Sequence, residues 1–215
     1  MFTVAIFDMD GLLVDTEPLW QKAEMFVFRE FGVKLTVEEC KSFKGIRIDK
    51  VVENFVKKYS LSVQKDIVIE KIINKMYELM NRELRFLPGA IEALRYVKLL
   101  GLKVAIASSS SIRLIKIVAE NPQVKAFIDF IRSGQEEKRS KPAPDIFLSV
   151  VKHFNISPSN AIVFEDSIPG IKAAKAAGMT AVAVPASEEY NSPEFDIADF
   201  KLRSLEEIQK IQLLR

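Results

Sequence analysis

The chain has 215 residues, of which 48% are hydrophobic and 28% are charged, a composition typical of one globular domain with or without a smaller insertion. Its formal net charge is +2, and its lysines and arginines are scattered, which argues against a nucleic-acid or membrane partner. No apolar run reaches the roughly 18 residues that a membrane span requires.

The first predicted element is a buried strand at the N-terminus. The run Thr3–Asp8 is apolar without alternation, as in a strand of a parallel sheet that is covered on both faces. Asp8 ends this strand and Asp10 follows two residues later. Because neighbouring carboxylates repel each other, this crowding indicates that a compensating group lies nearby.

The stretch that follows predicts helices and no strand. Leu19, Ala23 and Val27, together with Phe26, recur at helical spacing, and Thr36–Glu39 has the pattern of a capping box. The stretch is far longer than an ordinary crossover between strands. We therefore predict an all-helical insertion, or cap, over residues 16–85, inserted into a core formed by residues 1–15 and 86–215.

After the insertion, apolar strands alternate with helical patterns. Ser204–Glu207 has the pattern of a capping box that opens a last helix. The alternation predicts an α/β fold with a doubly wound parallel sheet. The four further strands predicted are Lys103–Ser108, Phe127–Ser133, Ala161–Asp166 and Thr180–Pro185.

Polar residues stand at or after the carboxyl ends of these strands. In a parallel sheet those ends lie side by side, where ligands bind in open α/β folds. We therefore expect one pocket that holds several carboxylates, a hydroxyl and an ammonium group. In chain order, the residues concerned are Asp8, Asp10, Ser108, Lys141, Glu165 and Asp166.

This set of side chains predicts a metal-assisted reaction on a phosphate group. Crowded carboxylates need a cation, and oxygen ligands favour Mg²⁺ over Zn²⁺. Asp8 would be ionised at neutral pH, given an ordinary pKa near ~3.9, and could attack phosphorus to form an aspartyl-phosphate. Lys141 and Ser108 could bind the phosphoryl oxygens, and Asp10 could move the proton.

Several other kinds of catalytic site find no support in the sequence. His153 is the only histidine and lies in a helical pattern, so we interpret it as an ordinary helix residue. Cys40 does not begin a Cys-x5-Arg phosphatase loop, because Arg47 comes one residue late and a helix start precedes the cysteine. Glycine-rich nucleotide loops are absent. A lone cysteine excludes an internal disulfide and, with no signal-peptide pattern, predicts a cytoplasmic location.

Four segments, in order, resemble the haloacid dehalogenase superfamily of phosphohydrolases: DMDGLLVDT, IASSS, KPAPDIF and VFEDSIPGIKAAKAAGM. The stretches FDMDGLLVDTEPLW and KGIRIDKVV look most like the sugar-phosphate phosphatase branch, near the 2-deoxyglucose-6-phosphate and hexitol-phosphate phosphatases and β-phosphoglucomutase. The resemblance implies a monomeric phosphatase of small sugar phosphates, such as hexose 6-phosphates, that requires Mg²⁺. Other divalent cations, such as Mn²⁺ or Co²⁺, are expected to substitute.

The resemblance also implies roles for single residues. Asp8 would be the nucleophile and Asp10 the general acid/base, while Ser108, Ser109 and Lys141 would contact the phosphate. The simpler alternatives are a helix cap for Ser108 and a solvated loop position for Lys141. The metal ligands that the resemblance implies are Asp8, Asp10 through its backbone carbonyl, Glu165 and Asp166.

The insertion is expected to select the substrate. The resemblance implies that Glu17 and Trp20 face the sugar and that residues 43–47 form the substrate loop, with Gly45 flexible and Lys44 or Arg47 near an anion. Alternatively, Trp20 packs inside the insertion and the basic residues are solvated. Phosphoglucomutases of the family carry a histidine where Trp20 stands. Its absence here favours water as the phosphoryl acceptor.

Three alternatives to a phosphatase stay open at this point. A phosphosugar mutase is the nearest of them. A dehalogenase of the same fold would lack the second aspartate and the metal, so Asp10 argues against it. A catalytically silent binding protein would not need the intact set of polar residues.

Overall fold

The central sheet is parallel throughout. The computed structural model describes residues 1–43 and 46–211, and within them the sheet has the order β3-β2-β1-β4-β5-β6. This arrangement confirms the predicted doubly wound α/β fold. The strands are β1 (Val4–Phe7), β2 (Lys103–Ser108), β3 (Phe130–Ser133), β4 (Ala161–Glu165), β5 (Thr180–Ala183) and β6 (Phe200–Lys201).

Strand β1 lies at the centre and positions the polar end of the sheet. It pairs with β2 on one side and with β4 on the other. Ala5 and Phe7 face one apolar cluster and Val4 and Ile6 the other, and all four are at most 1% exposed. Phe7 also stacks on Phe164 at 4.6 Å between ring centroids, which adds to the stability of this pair of strands. The two aspartates therefore follow a strand that is buried and paired on both sides.

Helices cover both faces of the sheet and form the insertion. The insertion contains four helices between β1 and the first helix of the core, and no strand occurs in its described part. The predicted bounds, 16–85, stay a prediction. The helices of the insertion are α1 (Glu17–Glu30), α2 (Val37–Lys41), α3 (Ile48–Lys58) and α4 (Lys65–Glu83). Those of the core are α5 (Ala90–Leu99), α6 (Ile112–Ala119), α7 (Asp145–Phe154) and α8 (Ile168–Ala176).

The predicted apolar stripe of α1 is only partly correct. Ala23 and Val27 are buried, but Phe26 is 51% exposed, with the Lys75 ammonium 4.6 Å from its ring centroid. The buried face extends instead to Phe28 and to a charged residue, Glu24. The capping box at Thr36 is formed as predicted.

Two crossing segments connect the insertion to the core, and they are hydrogen-bonded to each other. The amide of Asp15 donates to the carbonyl of Arg85, and the amide of Leu87 donates to that of Leu13, both at 2.9 Å. This pairing fixes where α1 begins. It places α1 over the carboxyl end of β1.

The C-terminal part differs from the predictions. A sixth strand, β6, was missed, because two residues are too few to show a period. The last predicted helix is a 3₁₀ helix over Leu205–Lys210. The hydroxyl of Ser204 accepts from Glu206, while the Glu207 carboxylate accepts from Arg203, so the predicted capping box is not formed.

Strand β3 begins later than predicted. The chain turns at Phe127, whose amide donates to the carbonyl of Val124. Asp129 then joins the neighbouring strand, because its amide donates to the Val104 carbonyl and its carboxylate accepts from the Val104 amide.

None of the helices in the described residues has the length and hydropathy of a membrane span.

Candidate active site

Lys141 joins two carboxylates at the carboxyl ends of β1 and β4. Its Nζ lies 2.6 Å from Oδ1 of Asp8 and 2.5 Å from Oε1 of Glu165, and it also donates to the Ala107 carbonyl at 3.3 Å. All three charged residues are buried. The loop after β3 thus brings its lysine across β2 to the first strand, as the sheet order requires.

Burial perturbs each of these charges. Loss of water raises the pKa of Asp8 and of Glu165 above the ordinary range, although Lys141 opposes the shift in both. Burial alone would lower the pKa of Lys141, but the two carboxylates raise it overall. The single ammonium of Lys141 therefore does not offset the negative charge of the carboxylates around it. A further positive charge would favour their ionised forms.

Asp166 completes a group of oxygens suited to a divalent cation. Asp8, Glu165 and Asp166 each offer a carboxylate oxygen, and the three oxygens lie within 4.8 Å of one another. Buried oxygens at this spacing fit Mg²⁺ or a cation of similar preference. The residues present thus fit a divalent cation.

Two glycines leave room for these carboxylates. A Cβ on Gly11 would lie 2.3 Å from Oδ2 of Asp166, and one on Gly170 would lie 2.0 Å from Cδ of Glu165. Gly11 also adopts a φ of +76°, which other residues rarely take. Gly11, in the first motif, and Gly170, in the fourth, therefore leave the space that the carboxylates of Asp166 and Glu165 occupy.

Asp10 has a different environment from Asp8. Its Oδ1 accepts hydrogen bonds from the hydroxyl of Thr16 at 2.6 Å and from Nε1 of Trp20 at 3.2 Å. Its Oδ2 accepts from the hydroxyls of Ser108 and Ser110 at 2.9 and 2.8 Å. The carboxylate is thus held by hydroxyl and indole donors, whereas Asp8 is held by an ammonium. This difference suits two carboxylates that perform different tasks.

The serines after β2 are placed beside the carboxylates. Ser108 is fully buried, donates to Asp10 and accepts from the amide of Ser110, and Ser109 lines the same cavity. Sequence reasoning did not single out Ser110 or Thr16 as partners of Asp10. The run of serines after the strand was the available signal for Ser110.

The insertion residues divide into two groups. Glu17 and Trp20 line the cavity, and Trp20 reaches Asp10 rather than only packing inside the insertion. Arg47 is directed elsewhere: it pairs with Asp49 at 2.7 Å, and its Nη1 donates to the carbonyls of Gly134 and Glu137 in the core. Gly45, predicted as a substrate contact, lies outside the described residues, as does Lys44.

The cavity also includes residues that sequence reasoning did not assign to the site. It comprises about 770 Å³ of space, part of it open to solvent. Glu24 is 5% exposed, and the neighbouring Cys40 thiol acts to lower the pKa of its carboxyl group. Burial raises the pKa of Glu24 to about 7, and the charge of Glu17 contributes to the rise. His153, by contrast, stacks on Phe130 and is not among the residues that line the cavity.

Known proteins share both the sequence and the fold. Hexitol phosphatase B of Escherichia coli K12 is 36% identical over 212 residues, which cover 98% of this chain and 96% of that protein. A phosphorylated carbohydrates phosphatase of Thermotoga maritima is 34% identical over 178 residues, 81% of each chain. The crystal structure of β-phosphoglucomutase from Clostridium difficile matches with a TM-score of 0.82 and 28% identity, covering 100% of this chain and 97% of that one.

A family model extends over the same elements that build the site. It describes haloacid dehalogenase-like hydrolases and matches residues 5–184. That span contains β1 with its two aspartates, the serines after β2, Lys141 and the acidic end of β4. The chain belongs to the haloacid dehalogenase-like hydrolase family.

Proposed function

We propose that the chain is a phosphatase that hydrolyses phosphate monoesters of small carbohydrates, such as hexose 6-phosphates, 2-deoxyglucose 6-phosphate and shorter aldose phosphates. The observation that carries the proposal is the pair of aspartates with different partners: Asp8 on the Lys141 ammonium and Asp10 on neutral donors. The names of two relatives, a hexitol phosphatase and a phosphorylated carbohydrates phosphatase, support the substrate class.

In the first step, the carboxylate of Asp8 attacks phosphorus. The bond between phosphorus and the leaving oxygen breaks, and Asp10 in its protonated form gives that oxygen a proton. The alcohol leaves and an aspartyl-phosphate remains on Asp8. Lys141 lies within hydrogen-bonding distance of Asp8, so its charge acts where the negative charge of the phosphoryl group develops.

In the second step, Asp10 acts in the opposite direction. Its carboxylate accepts a proton from a water molecule as the water oxygen attacks phosphorus. The bond between phosphorus and the Asp8 oxygen breaks, which releases phosphate and restores both carboxyl groups to their starting states. The four donors to Asp10 would hold its side chain in one orientation during both steps.

The acidic group at the ends of β1 and β4 would hold the divalent cation. Asp8, Glu165 and Asp166 are the side chains that would bind it, since their oxygens lie within 4.8 Å of one another. When bound, Mg²⁺ supplies positive charge for the phosphoryl oxygens and lowers the pKa of the carboxylates around it. Asp8 would then be ionised at neutral pH, as a nucleophile must be.

A mutase is the second candidate, because the solved β-phosphoglucomutase shares the fold and 28% of its residues. The structure's own residues favour water as the acceptor. Trp20 stands where phosphoglucomutases of the family carry a histidine, and the only histidine, His153, stacks on Phe130. Glucose 1-phosphate with a trace of glucose 1,6-bisphosphate separates the two: rapid glucose 6-phosphate without free phosphate would favour the mutase.

The test of the proposed function is phosphate release from a panel of sugar phosphates in the presence of Mg²⁺. Asp8→Asn should abolish release and a chelator should suppress it. Asp15→Asn, at an exposed aspartate of the same segment, is the matched control and should retain activity. Full activity of Asp8→Asn would overturn the mechanism, and a folded, metal-loaded protein inert toward the whole panel would favour a silent binding protein. The monomeric state and the cytoplasmic location stay predictions.

A further inference from the structure

The face of α1 that looks into the cavity carries a polar stripe. Glu17, Trp20, Gln21 and Glu24 are spaced three and four residues apart, as neighbours on one side of a helix are, and all four line the cavity. The Gln21 amide donates to Glu17 at 3.0 Å. The stripe therefore runs as one surface along α1 from its first residue, Glu17, to Glu24.

The stripe begins at the reacting groups and ends at Glu24. Trp20 contacts Asp10 through its indole nitrogen. Since an α-helix rises by about 1.5 Å per residue, Glu24 lies about 6 Å farther along the axis. That distance matches the far end of a five- or six-carbon leaving group whose phosphate ester lies between Asp8 and Asp10. Two- and three-carbon leaving groups are too short to reach it.

The surroundings of Glu24 are those of a binding group rather than of a solvated surface acid. Burying a carboxyl group is costly unless it finds hydrogen-bond partners. Among the described residues no lysine or arginine forms an ion pair with Glu24, and the Cys40 thiol is its neighbour. Sugar hydroxyls are good donors to a carboxylate, and they would replace water as its hydrogen-bond partners. The cavity lining also includes the apolar side chains of Phe43, Ile48 and Val51, which suit the C–H face of a carbohydrate.

We infer that Glu24 binds a hydroxyl group at the end of the leaving group that is distant from the phosphate, and so selects five- and six-carbon polyhydroxylated esters over shorter ones. This inference rests on the proposed phosphatase function and makes its substrate class more specific. Glu24 thus determines substrate specificity and takes no part in the chemical steps at Asp8 and Asp10.

A series of substrates of different length tests the inference. Wild type, Glu24→Ala and Glu24→Gln would be loaded with Mg²⁺ and compared on sorbitol 6-phosphate, glucose 6-phosphate and glycerol 3-phosphate. We expect Glu24→Ala to lower kcat/KM for the six-carbon esters by about 10- to 100-fold, the range of a lost hydrogen bond to a charged group. This decrease in kcat/KM should be at least ten times larger than the decrease that the same variant shows with glycerol 3-phosphate. Glu24→Gln, which keeps an acceptor oxygen, should recover part of it.

Controls separate this inference from the function on which it rests. Glu30→Gln, at an exposed acid of the same helix, should leave the ratio between six-carbon and three-carbon substrates unchanged. If Glu24→Ala does not fold, the same ratio measured for Glu24→Gln decides. An equal loss on all substrates, or no loss, would overturn the inference alone. Failure of the wild type to release phosphate from any of them would overturn the proposed function as well.

Discussion

The indole Nε1 of Trp20 donates to Oδ1 of Asp10 at 3.2 Å, so a side chain of the insertion touches the carboxylate that we propose as general acid/base. The other donor to that oxygen, Thr16, precedes α1 directly. Half of the hydrogen bonds that orient Asp10 therefore come from the start of the insertion and half from the serines after β2. Movement of the insertion would therefore change the orientation of the Asp10 carboxylate.

Trp20→Phe should lower kcat for a sugar phosphate by about 3- to 10-fold, because Asp10 loses one of its four donors and keeps the other three. The measurement is steady-state kinetics on glucose 6-phosphate. Phe26→Leu, at an exposed aromatic residue of the same helix, is the control and should leave kcat unchanged. An unchanged kcat in Trp20→Phe would show that the indole does not orient Asp10.

Much of the site could be predicted from the sequence, for a topological reason. Asp8, Glu165 and Asp166 end buried strands, and parallel strands bring such ends together regardless of the distance along the chain. The same reasoning predicted that Lys141, which follows the third strand, lies beside these three carboxylates. The strands were visible because their apolar runs are unbroken, whereas the two-residue β6 gives no pattern to detect.

The residues of the insertion could not be placed in the same way. A charged residue on the buried face of α1, such as Glu24, contradicts the helical period, which is the signal used to find the helix. From the sequence alone, Arg47 could bind either a phosphate group or a backbone carbonyl group. Which of the two it binds depends on how the insertion packs against the residues after β3, and those segments are far apart in the sequence.

Gly170→Ala should disrupt the acidic group without touching the nucleophile directly. The added Cβ would lie 2.0 Å from Cδ of Glu165, so the carboxylate or the start of α8 must move. We expect a higher Mg²⁺ concentration for half-maximal activity and at least a tenfold loss of kcat/KM. Titration of activity with Mg²⁺ measures both. Lys172→Ala, at an exposed position of α8, is the control; equal Mg²⁺ requirements in the two variants would contradict the prediction.

Glu24→Gln should stabilise the fold at neutral and alkaline pH. Burial raises the pKa of Glu24 to about 7 from an ordinary 4.5, a difference on the order of 3 kcal/mol. The folded state then keeps the proton that the unfolded chain releases, so the wild type loses stability as the pH rises from about 4.5 to about 7. Below that range both states are protonated and the glutamate costs nothing.

Urea denaturation at a series of pH values checks this prediction. The free energy of unfolding of Glu24→Gln should exceed that of the wild type by a margin that grows from pH 4.5 to pH 7 and is constant above it. Among the described residues, the titratable groups that act on Glu24 are Glu17 and the Cys40 thiol, and both are unchanged in the variant. A margin that does not vary with pH would show that Glu24 titrates normally.

Arg47 connects the insertion to the core segment that follows β3. Its Nε and Nη2 pair with Asp49, and its Nη1 donates to the carbonyls of Gly134 and Glu137 at 3.1 and 3.3 Å. Arg47→Ala removes both core contacts, so we expect the insertion to open more readily. The KM for glucose 6-phosphate should rise about 3- to 10-fold, while kcat changes less, because the reacting groups stay in place.

Arg47→Lys distinguishes this connection from a phosphate contact. Lysine keeps the charge but not the planar fork that serves a carboxylate and two carbonyls at once. If Arg47 acts through the core carbonyls, the lysine variant should resemble the alanine variant in KM, and its radius of gyration in solution should increase by a similar amount. If it instead binds the substrate's anionic group, the lysine variant should stay close to the wild type.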